Sequence, residues 1–306
     1  MTGPRDTTGL LLAFFGMVLF AGTLPATRLA VQGFDPLFLT ALRISIAAAT
    51  ASAALMAMRR PIPTRNQAIA CLKAGLFTVA LFPLFAALAM MTVPASHGGV
   101  VLGMSVPAAH GGVVMGILPL ATAVAAAALA KERPSLGFWI TGVIGSALVV
   151  MFMIRDTGVS DAHWGDLFLL ATVVFGGIGY TLSGKATALM PGWEVISWSV
   201  VMYAPLTLIA VILLWPANIA SVPAPQWSAL LYVALVSQYL SFFVYNAAML
   251  RIGVARAGQM LLLQPFTVVA LAWPVNGEPI ELKTLLFAAA VVVIVMIGQR
   301  MRVTRG

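Results

Sequence analysis

Charged side chains are scarce in this chain of 306 residues, where Asp, Glu, Lys and Arg together make up 8%. An ordinary soluble domain carries about 25% charged residues. Hydrophobic residues make up 61% of the chain, and the mean hydropathy is +1.02. These values exclude a chain whose main solvent is water, and they indicate a membrane protein.

Cysteine occurs once, as Cys71, which excludes an intramolecular disulfide. The sequence also lacks a metal-binding constellation, a phosphate-binding glycine loop and a nucleophile with a paired base. We therefore predict no metal site, no cofactor and no catalytic residue, and we expect that the protein is not an enzyme.

Carboxylates are absent from the interiors of the apolar stretches, because every acidic residue lies at or near an end of one. These residues are Asp6, Asp35, Glu132, Asp156, Asp161, Asp166, Glu194, Glu278 and Glu281. A carrier of lipophilic cations is expected to hold a buried glutamate. The absence therefore argues against that class of substrate.

Apolar runs long enough to cross a bilayer fill almost the whole chain. A transmembrane helix needs roughly 20 apolar residues, and such runs in lipid can only be helices. We predict ten helices. Segments 1 to 5 are residues 9–31, 36–58, 67–91, 108–130 and 135–154, and segments 6 to 10 are 164–188, 194–216, 226–250, 254–275 and 281–299. Residues 9–31 exceed the roughly 7–15 residues of a signal-peptide core, so we expect them to remain in the protein.

Basic residues are concentrated in alternate loops. With both termini inside, the inner side holds Arg5, Arg59, Arg60, Arg65, Lys131, Arg133, Lys185, Arg251, Arg256, Arg300, Arg302 and Arg305, and the outer side holds Arg28, Arg155 and Lys283. Because Lys and Arg in short loops stay in the cytoplasm, we predict a multi-pass protein of the bacterial inner membrane with cytoplasmic termini. The net charge of +8 is explained by this topology. The expected partners are the lipid bilayer and a small-molecule substrate, not nucleic acid, and the expected assembly is a monomer.

The second half of the chain is a weak echo of the first. An offset of 146 residues places Pro119 on Pro265 and Glu132 on Glu278 without a gap, and Phe20-Ala21-Gly22 is similar to Phe175-Gly176-Gly177. This pattern divides the chain into a repeat at 1–154, a central loop at 155–163 and a repeat at 164–306. Because each repeat contains an odd number of helices, the second copy is expected to be inverted in the membrane. Chance similarity between apolar helices is the alternative.

These features resemble the EamA family of the drug/metabolite transporter superfamily, and within it the YddG-type aromatic amino acid exporters. The resemblance covers nearly the whole chain and depends on the order of the two five-helix repeats, the cation that ends segment 1 and the Pro and Glu of segments 4 and 9. It implies export of small metabolites by alternating access. It also implies a central cavity lined by segments 1, 3, 4, 6, 8 and 9.

One feature departs from the family pattern. Residues 93–104 read VPASHGGVVLGM and residues 106–117 read VPAAHGGVVMGI, a tandem repeat with a period of 13. Thirteen residues rotate a helix about 220° past whole turns, so the two copies cannot present the same face. We interpret one copy as an insertion and expect residues 106–117 to form the native helix start, with residues 93–105 displaced.

Polar and aromatic side chains within the segments are the candidate substrate-binding residues, because polar groups in hydrocarbon are costly. They are Phe82, Phe85, His110, Tyr180, Gln238, Tyr239, Phe242, Tyr245, Gln259 and Gln264. Ordinary packing between helices is the alternative explanation for each of them. Arg43 and Lys73 are the deepest cations. Either could attract a substrate carboxylate, but extension to the membrane interface is the simpler explanation.

The sequence thus predicts an all-α membrane protein that exports amino acids, aromatic or other neutral, or similar small amphiphilic metabolites. A membrane-embedded enzyme or a scaffold without transport is the alternative from another class. Within transport, the alternative is an exporter of another metabolite or of drugs.

Overall fold

The described residues of the computed structural model are 6–92, 116–157, 164–267 and 282–305. They are mostly helical, as predicted. Seven helices among them are long and apolar enough to cross a membrane. These are Thr7–Ala30, Pro36–Ala57, Arg65–Met91, Leu167–Ala186, Gly192–Leu213, Ala224–Ile252 and Leu282–Arg300, which correspond to segments 1, 2, 3, 6, 7, 8 and 10. The chain is a multi-pass membrane protein.

Segments 4, 5 and 9 are also helical where the structure describes them. Segment 4 contains helix Leu118–Leu129, segment 5 is Leu136–Thr157, and segment 9 begins with Val254–Met260 and a 3₁₀ turn at Leu261–Leu263. Residues 93–115 and 268–281 lie outside the described residues. The expectations for the tandem repeat and for His110 therefore stay predictions.

Segment 1 is not the continuous helix that the sequence predicted. It consists of two helices, Thr7–Ala21 and Thr23–Ala30, which are separated at Gly22. The Tyr232 hydroxyl of segment 8 lies beside Gly22 and donates a hydrogen bond to the Leu19 carbonyl at 2.9 Å. A side chain that takes a carbonyl from the helix ladder interrupts the helix at that point.

Segments 3 and 8 each contain a π-helical stretch near the centre, which the sequence did not predict. In segment 3 the stretch is Leu76–Leu81, and in segment 8 it is Tyr232–Leu240. In a π-helix a carbonyl accepts a hydrogen bond from the N–H five residues later. For Thr78 that residue is Pro83, which has no N–H to donate. The Thr78 carbonyl is therefore available to a side chain.

Two short strands form a pair that the sequence also did not predict. Strand β1, Glu132–Pro134, follows segment 4, and strand β2, Val303–Arg305, follows segment 10. The strands are antiparallel, with Glu132 opposite Arg305. The pair joins the loop between segments 4 and 5 to the C-terminal residues at one end of the molecule.

The same end gathers most of the basic loops, and we call it the basic end. Its described parts are Asp6 and residues 58–65, 131–135, 185–193, 251–256 and 300–304. Arg251 pairs with Asp6 at 2.8 Å, and Arg60 pairs with Glu194 at 3.3 Å. The Gly9 backbone N–H and the Arg251 side chain together lower the pKa of Asp6 below its ordinary value. At the opposite end, Phe34 packs on Trp227 with ring centroids 5.0 Å apart.

Neighbouring segments pack in a regular pattern. Segment 1 packs on segment 8, and segment 6 packs on segments 3 and 4. Segment 2 lies against segment 7, segment 4 also lies against segment 9, and segment 5 lies against segment 10. Segment 2 also contacts the π-helical stretch of segment 8, and segment 7 contacts segment 3. The largest group of buried apolar residues is shared by segments from both halves of the chain.

Candidate functional site

Four aromatic rings meet where segments 1, 6 and 8 pack together. We call Phe20, Tyr180, Phe242 and Tyr245 the central aromatic cluster. The Phe20 centroid lies 5.8, 5.1 and 5.5 Å from those of Tyr180, Phe242 and Tyr245. Tyr180 lies 5.6 Å from Phe242 and 5.5 Å from Tyr245. Phe82 of segment 3 borders the cluster, with its centroid 6.4 Å from that of Tyr180.

The cluster is buried, with each of its rings at most 4% exposed. The Tyr245 hydroxyl is completely buried and has no hydrogen-bond partner among the described residues. A buried hydroxyl without a partner costs about 1–3 kcal/mol. Such a group in a native site calls for an explanation, and a bound molecule that accepts or donates a hydrogen bond is one.

Small residues allow the rings to come together. A Cβ on Gly16 would lie 3.0 Å from the Cβ of Tyr245, so the glycine lets segments 1 and 8 approach closely. A Cβ on Gly176 would lie 3.1 Å from Cδ2 of Phe82, and one on Gly179 would lie 2.7 Å from Cγ2 of Thr78. Glycines on segments 1 and 6 thus set the spacing around the cluster.

Gln238 lies one helical turn before Phe242 and connects the two π-helical stretches. Its Nε2 donates a hydrogen bond to the free Thr78 carbonyl at 3.2 Å. Its Oε1 is buried and has no partner among the described residues. The side chain is only 1% exposed, because the described side chains around it exclude solvent. Its Oε1 is therefore a buried acceptor that is available to a ligand.

Gln264 approaches the cluster from segment 9. Its Nε2 donates a hydrogen bond to the Phe20 carbonyl at 3.2 Å, next to the interruption of segment 1 at Gly22. The structure therefore brings Gln264, Phe82, Tyr180, Gln238, Phe242 and Tyr245 to one region, as six of the ten predicted site residues.

Three predicted residues lie elsewhere. Phe85 packs on Phe175 at 5.1 Å and on Phe168 at 5.9 Å, in a separate group of rings between segments 3 and 6. Tyr239 forms a 2.9 Å hydrogen bond with Ser197 of segment 7. Their geometry favours packing between segments.

Gln259 is the third of these residues. Its Nε2 donates to Thr141 of segment 5 at 3.2 Å, and its amide lies against Gly298 of segment 10. This position is between segments 5, 9 and 10 and away from the aromatic rings. The tenth predicted residue, His110, lies outside the described residues.

The sequence interpretation missed one residue of this region and preferred the wrong explanation for another. Phe20 is central to the cluster, and its only signal was the similarity of Phe20-Ala21-Gly22 to the glycine motif of segment 6. Arg43 does not extend to the interface, because it is 2% exposed and donates from Nη2 to the Val233 carbonyl at 3.0 Å. Lys73, in contrast, is exposed.

Acidic and metal-binding chemistry is sparse within the described part of the chain. No group of three or more His, Cys, Asp or Glu side chains there could hold a metal ion. Two carboxyl groups are buried among the residues whose burial is described, those of Glu132 and Glu194, and both lie at the basic end. The buried carboxyl groups of the described residues thus lie away from the aromatic cluster, whose described polar neighbours are amide and hydroxyl groups.

Comparisons with known proteins show the family of the chain and support its fold. The chain is 35% identical over 296 residues to the uncharacterized transporter YdeK of Bacillus subtilis (strain 168), a match that covers 97% of this chain and 98% of that protein. A solved crystal structure superposes with a TM-score of 0.75 at 20% identity, over 97% of this chain and 99% of the other, and supports the fold alone. The sequence model of the EamA-like transporter family matches residues 7–154 and again 163–298, which confirms the family resemblance. The chain belongs to the EamA-like transporter family.

Proposed function

We propose that this protein is a secondary transporter that exports amino acids, aromatic or other neutral, or similar small amphiphilic metabolites. The central aromatic cluster carries the proposal, because four rings from three segments meet inside the membrane-spanning part around a hydroxyl that has no partner among the described residues. The contacts that these rings make with one another are of the kind that they could make with an aromatic or apolar side chain of a substrate. Ligand sites are commonly apolar with a few placed polar groups.

Transport by alternating access requires the site to open to one side at a time. The helix ladder is interrupted at Gly22 in segment 1 and altered at the π-helical stretches of segments 3 and 8, close to the aromatic cluster. Interrupted helices at a binding site are a common feature of secondary transporters. We propose that the halves of these segments tilt about these points, which would separate the rings toward one side of the membrane.

The packing pattern supports two inverted repeats of five segments each. If segments 1 to 5 are exchanged with segments 6 to 10, the contact between segments 1 and 8 becomes the contact between segments 6 and 3. The contacts of segment 2 with segment 7, of segment 4 with segment 9 and of segment 5 with segment 10 stay the same. Segment 1 starts at the basic end, where Asp6 pairs with Arg251, whereas segment 6 finishes there near Lys185. Opposite directions of equivalent segments are what a twofold axis in the membrane plane requires, so these positions support the proposed inversion.

Orientation follows from charge, and we propose that the basic end faces the cytoplasm. Single cysteines at the exposed positions Pro61 and Asn218, at opposite ends, test this proposal, because the native Cys71 is buried. We expect an impermeant maleimide to label Asn218→Cys in intact cells and to label Pro61→Cys only after permeabilisation. The reverse pattern would invert the topology.

Purified protein in lipid vesicles tests the function itself. We expect vesicles loaded with labelled phenylalanine, tryptophan or threonine to lose their contents selectively, faster than vesicles without protein. If the vesicles retain all three amino acids but lose another metabolite, the proposed substrate class is wrong. Retention of every solute tested would favour the membrane-embedded enzyme or the scaffold.

Tyr245→Phe separates binding from packing. Removing a buried hydroxyl that has no partner should raise the melting temperature, because its desolvation cost of about 1–3 kcal/mol is lost. If the hydroxyl contacts substrate, the same variant should need several-fold more phenylalanine for half-maximal transport. Both quantities can be measured on one purified sample in detergent and in vesicles.

Tyr239→Phe is the matched control, since it removes a hydroxyl that is bonded to Ser197 away from the aromatic cluster. We expect a small loss of stability and unchanged transport. A Tyr245→Phe variant with wild-type transport would show that the hydroxyl does not contact substrate.

A further inference from the structure

Arg43 is a buried cation inside the membrane-spanning part of segment 2. Its Nη2 donates to the Val233 carbonyl, and its Nε has no partner among the described residues. No carboxyl group of the described residues pairs with it. An arginine side chain keeps its positive charge in proteins, and a charge at this depth is costly.

A backbone carbonyl alone does not account for this charge. The neutral amide of a glutamine could donate to Val233 at a much smaller desolvation cost, as Gln238 does to Thr78 on the neighbouring segment. A guanidinium is suited instead to an anion, and above all to a carboxylate. The unpartnered Nε is a donor for such a group.

Arg43 binds the carbonyl of Val233, which lies five residues before Gln238 on segment 8. Helix carbonyls point toward the C-terminal end, so the Val233 oxygen points toward residues 237 and 238, and the guanidinium bound to it lies within about one turn of Gln238. Gln238 contributes a neutral acceptor, because its Oε1 is buried and has no partner among the described residues. A cationic donor and a neutral acceptor are therefore present in one layer of the membrane.

We propose that Arg43 binds the carboxylate of a zwitterionic amino acid and that Gln238 Oε1 accepts a hydrogen bond from its ammonium group. Phe242 follows Gln238 by one turn, so the substrate side chain would extend from this layer to the aromatic cluster. The inference rests on the proposed transport function. It narrows the substrates to molecules that carry both charged groups.

Substrate analogues test the assignment on the wild-type protein in vesicles. Phenethylamine lacks the carboxylate of phenylalanine, and 3-phenylpropionate lacks its ammonium group. Each should compete with labelled phenylalanine about tenfold to a hundredfold more weakly than phenylalanine itself, since each lost charge-assisted hydrogen bond contributes that much. Equal competition by phenethylamine would overturn the role of Arg43, whatever any variant does.

Arg43→Gln keeps a donor for Val233 and removes the charge. We expect it to raise the phenylalanine concentration for half-maximal transport about tenfold or more, to lose discrimination against phenethylamine, and to keep the wild-type melting temperature or exceed it. Arg43→Lys should retain part of the discrimination. Arg28→Gln is the matched control. Arg28 also donates to a backbone carbonyl, that of Met90, and its Nε also has no partner among the described residues, but it is partly exposed near the end of segment 1. Its replacement should leave wild-type selectivity.

The outcomes separate the two proposals. If vesicles that contain the wild-type protein transport no amino acid, the proposed function is overturned. If the wild-type protein transports phenylalanine and the Arg43→Gln variant has the same affinity and selectivity, only the assignment of Arg43 is overturned. If Arg43→Gln does not fold, the analogue competition on the wild-type protein decides the assignment.

Discussion

Replacing Glu132 by alanine should lower the free energy of unfolding by about 2–5 kcal/mol, because two backbone N–H groups would be left buried without acceptors. The two carboxyl oxygens of Glu132 accept hydrogen bonds from Val254 at 2.8 Å and from Ala255 at 2.9 Å, at the start of segment 9. Gly253, at the N-cap position, has no side chain that could do so. The carboxyl group from the loop after segment 4 therefore caps a helix of the other half. Thermal unfolding in detergent measures the loss.

Asp35→Ala is a matched control for Glu132→Ala. The Asp35 carboxyl accepts hydrogen bonds from the Leu37 and Phe38 N–H groups at 2.9 and 3.2 Å, but it is exposed, so water can replace it. We expect a cost of about 1 kcal/mol. Glu132→Gln retains one acceptor oxygen and should have an intermediate effect. Equal melting temperatures for Glu132→Ala and Asp35→Ala would contradict the capping role.

Gly177→Ala is expected to have the second large effect, on both stability and transport. An added Cβ would lie 2.8 Å from the backbone carbon of Ala121, 2.9 Å from its oxygen and 3.0 Å from the nitrogen of Thr122. Backbone atoms of a helix cannot move aside singly, so segments 4 and 6 must separate. Overpacking of this kind costs about 1–3 kcal/mol. Because Tyr180 lies on the same segment, we expect displaced rings and reduced transport as well.

Gly142→Ala is the control, since it places a methyl group against the same segment 4 from segment 5. There the added Cβ would lie 3.1 Å from Cδ2 of Leu120, the flexible end of a side chain. We expect a neutral or stabilising change, because alanine favours a helix over glycine by about 1 kcal/mol. A Gly177→Ala variant that is as stable and as active as Gly142→Ala would show that segments 4 and 6 do not pack as described.

The site was only partly accessible to sequence reasoning. Tyr180, Phe242 and Tyr245 stood out because polar or aromatic groups are unusual within apolar segments, and the structure places them in contact. Tyr239 stood out for the same reason, yet it points to Ser197, since neighbouring residues on a helix face different segments. Phe20 was overlooked because its only signal was the similarity of Phe20-Ala21-Gly22 to the glycine motif of segment 6, whereas Phe242 lies on one helix face with Gln238 and Tyr245.

The free Thr78 carbonyl and the burial of Arg43 also depend on the tertiary structure. Pro83 lacks an N–H in any conformation. That this frees the Thr78 carbonyl for Gln238 depends on the π-helical stretch and on the packing of segment 8. Arg43 was expected to reach the interface. Its burial beside Val233 became evident only once segments 2 and 8 were placed against each other.

By itself the sequence determined that this is a multi-pass helical membrane protein, because hydrocarbon requires long apolar helices and the chain contains little else. It also determined the distribution of basic residues over alternate loops, since that is a property of position along the chain. The tertiary structure alone decided which side chains meet, where segment 1 is interrupted and which helix Glu132 caps. These depend on contacts between residues far apart in the chain, such as the 2.9 Å hydrogen bond from Tyr232 to Leu19, and no local pattern encodes such contacts.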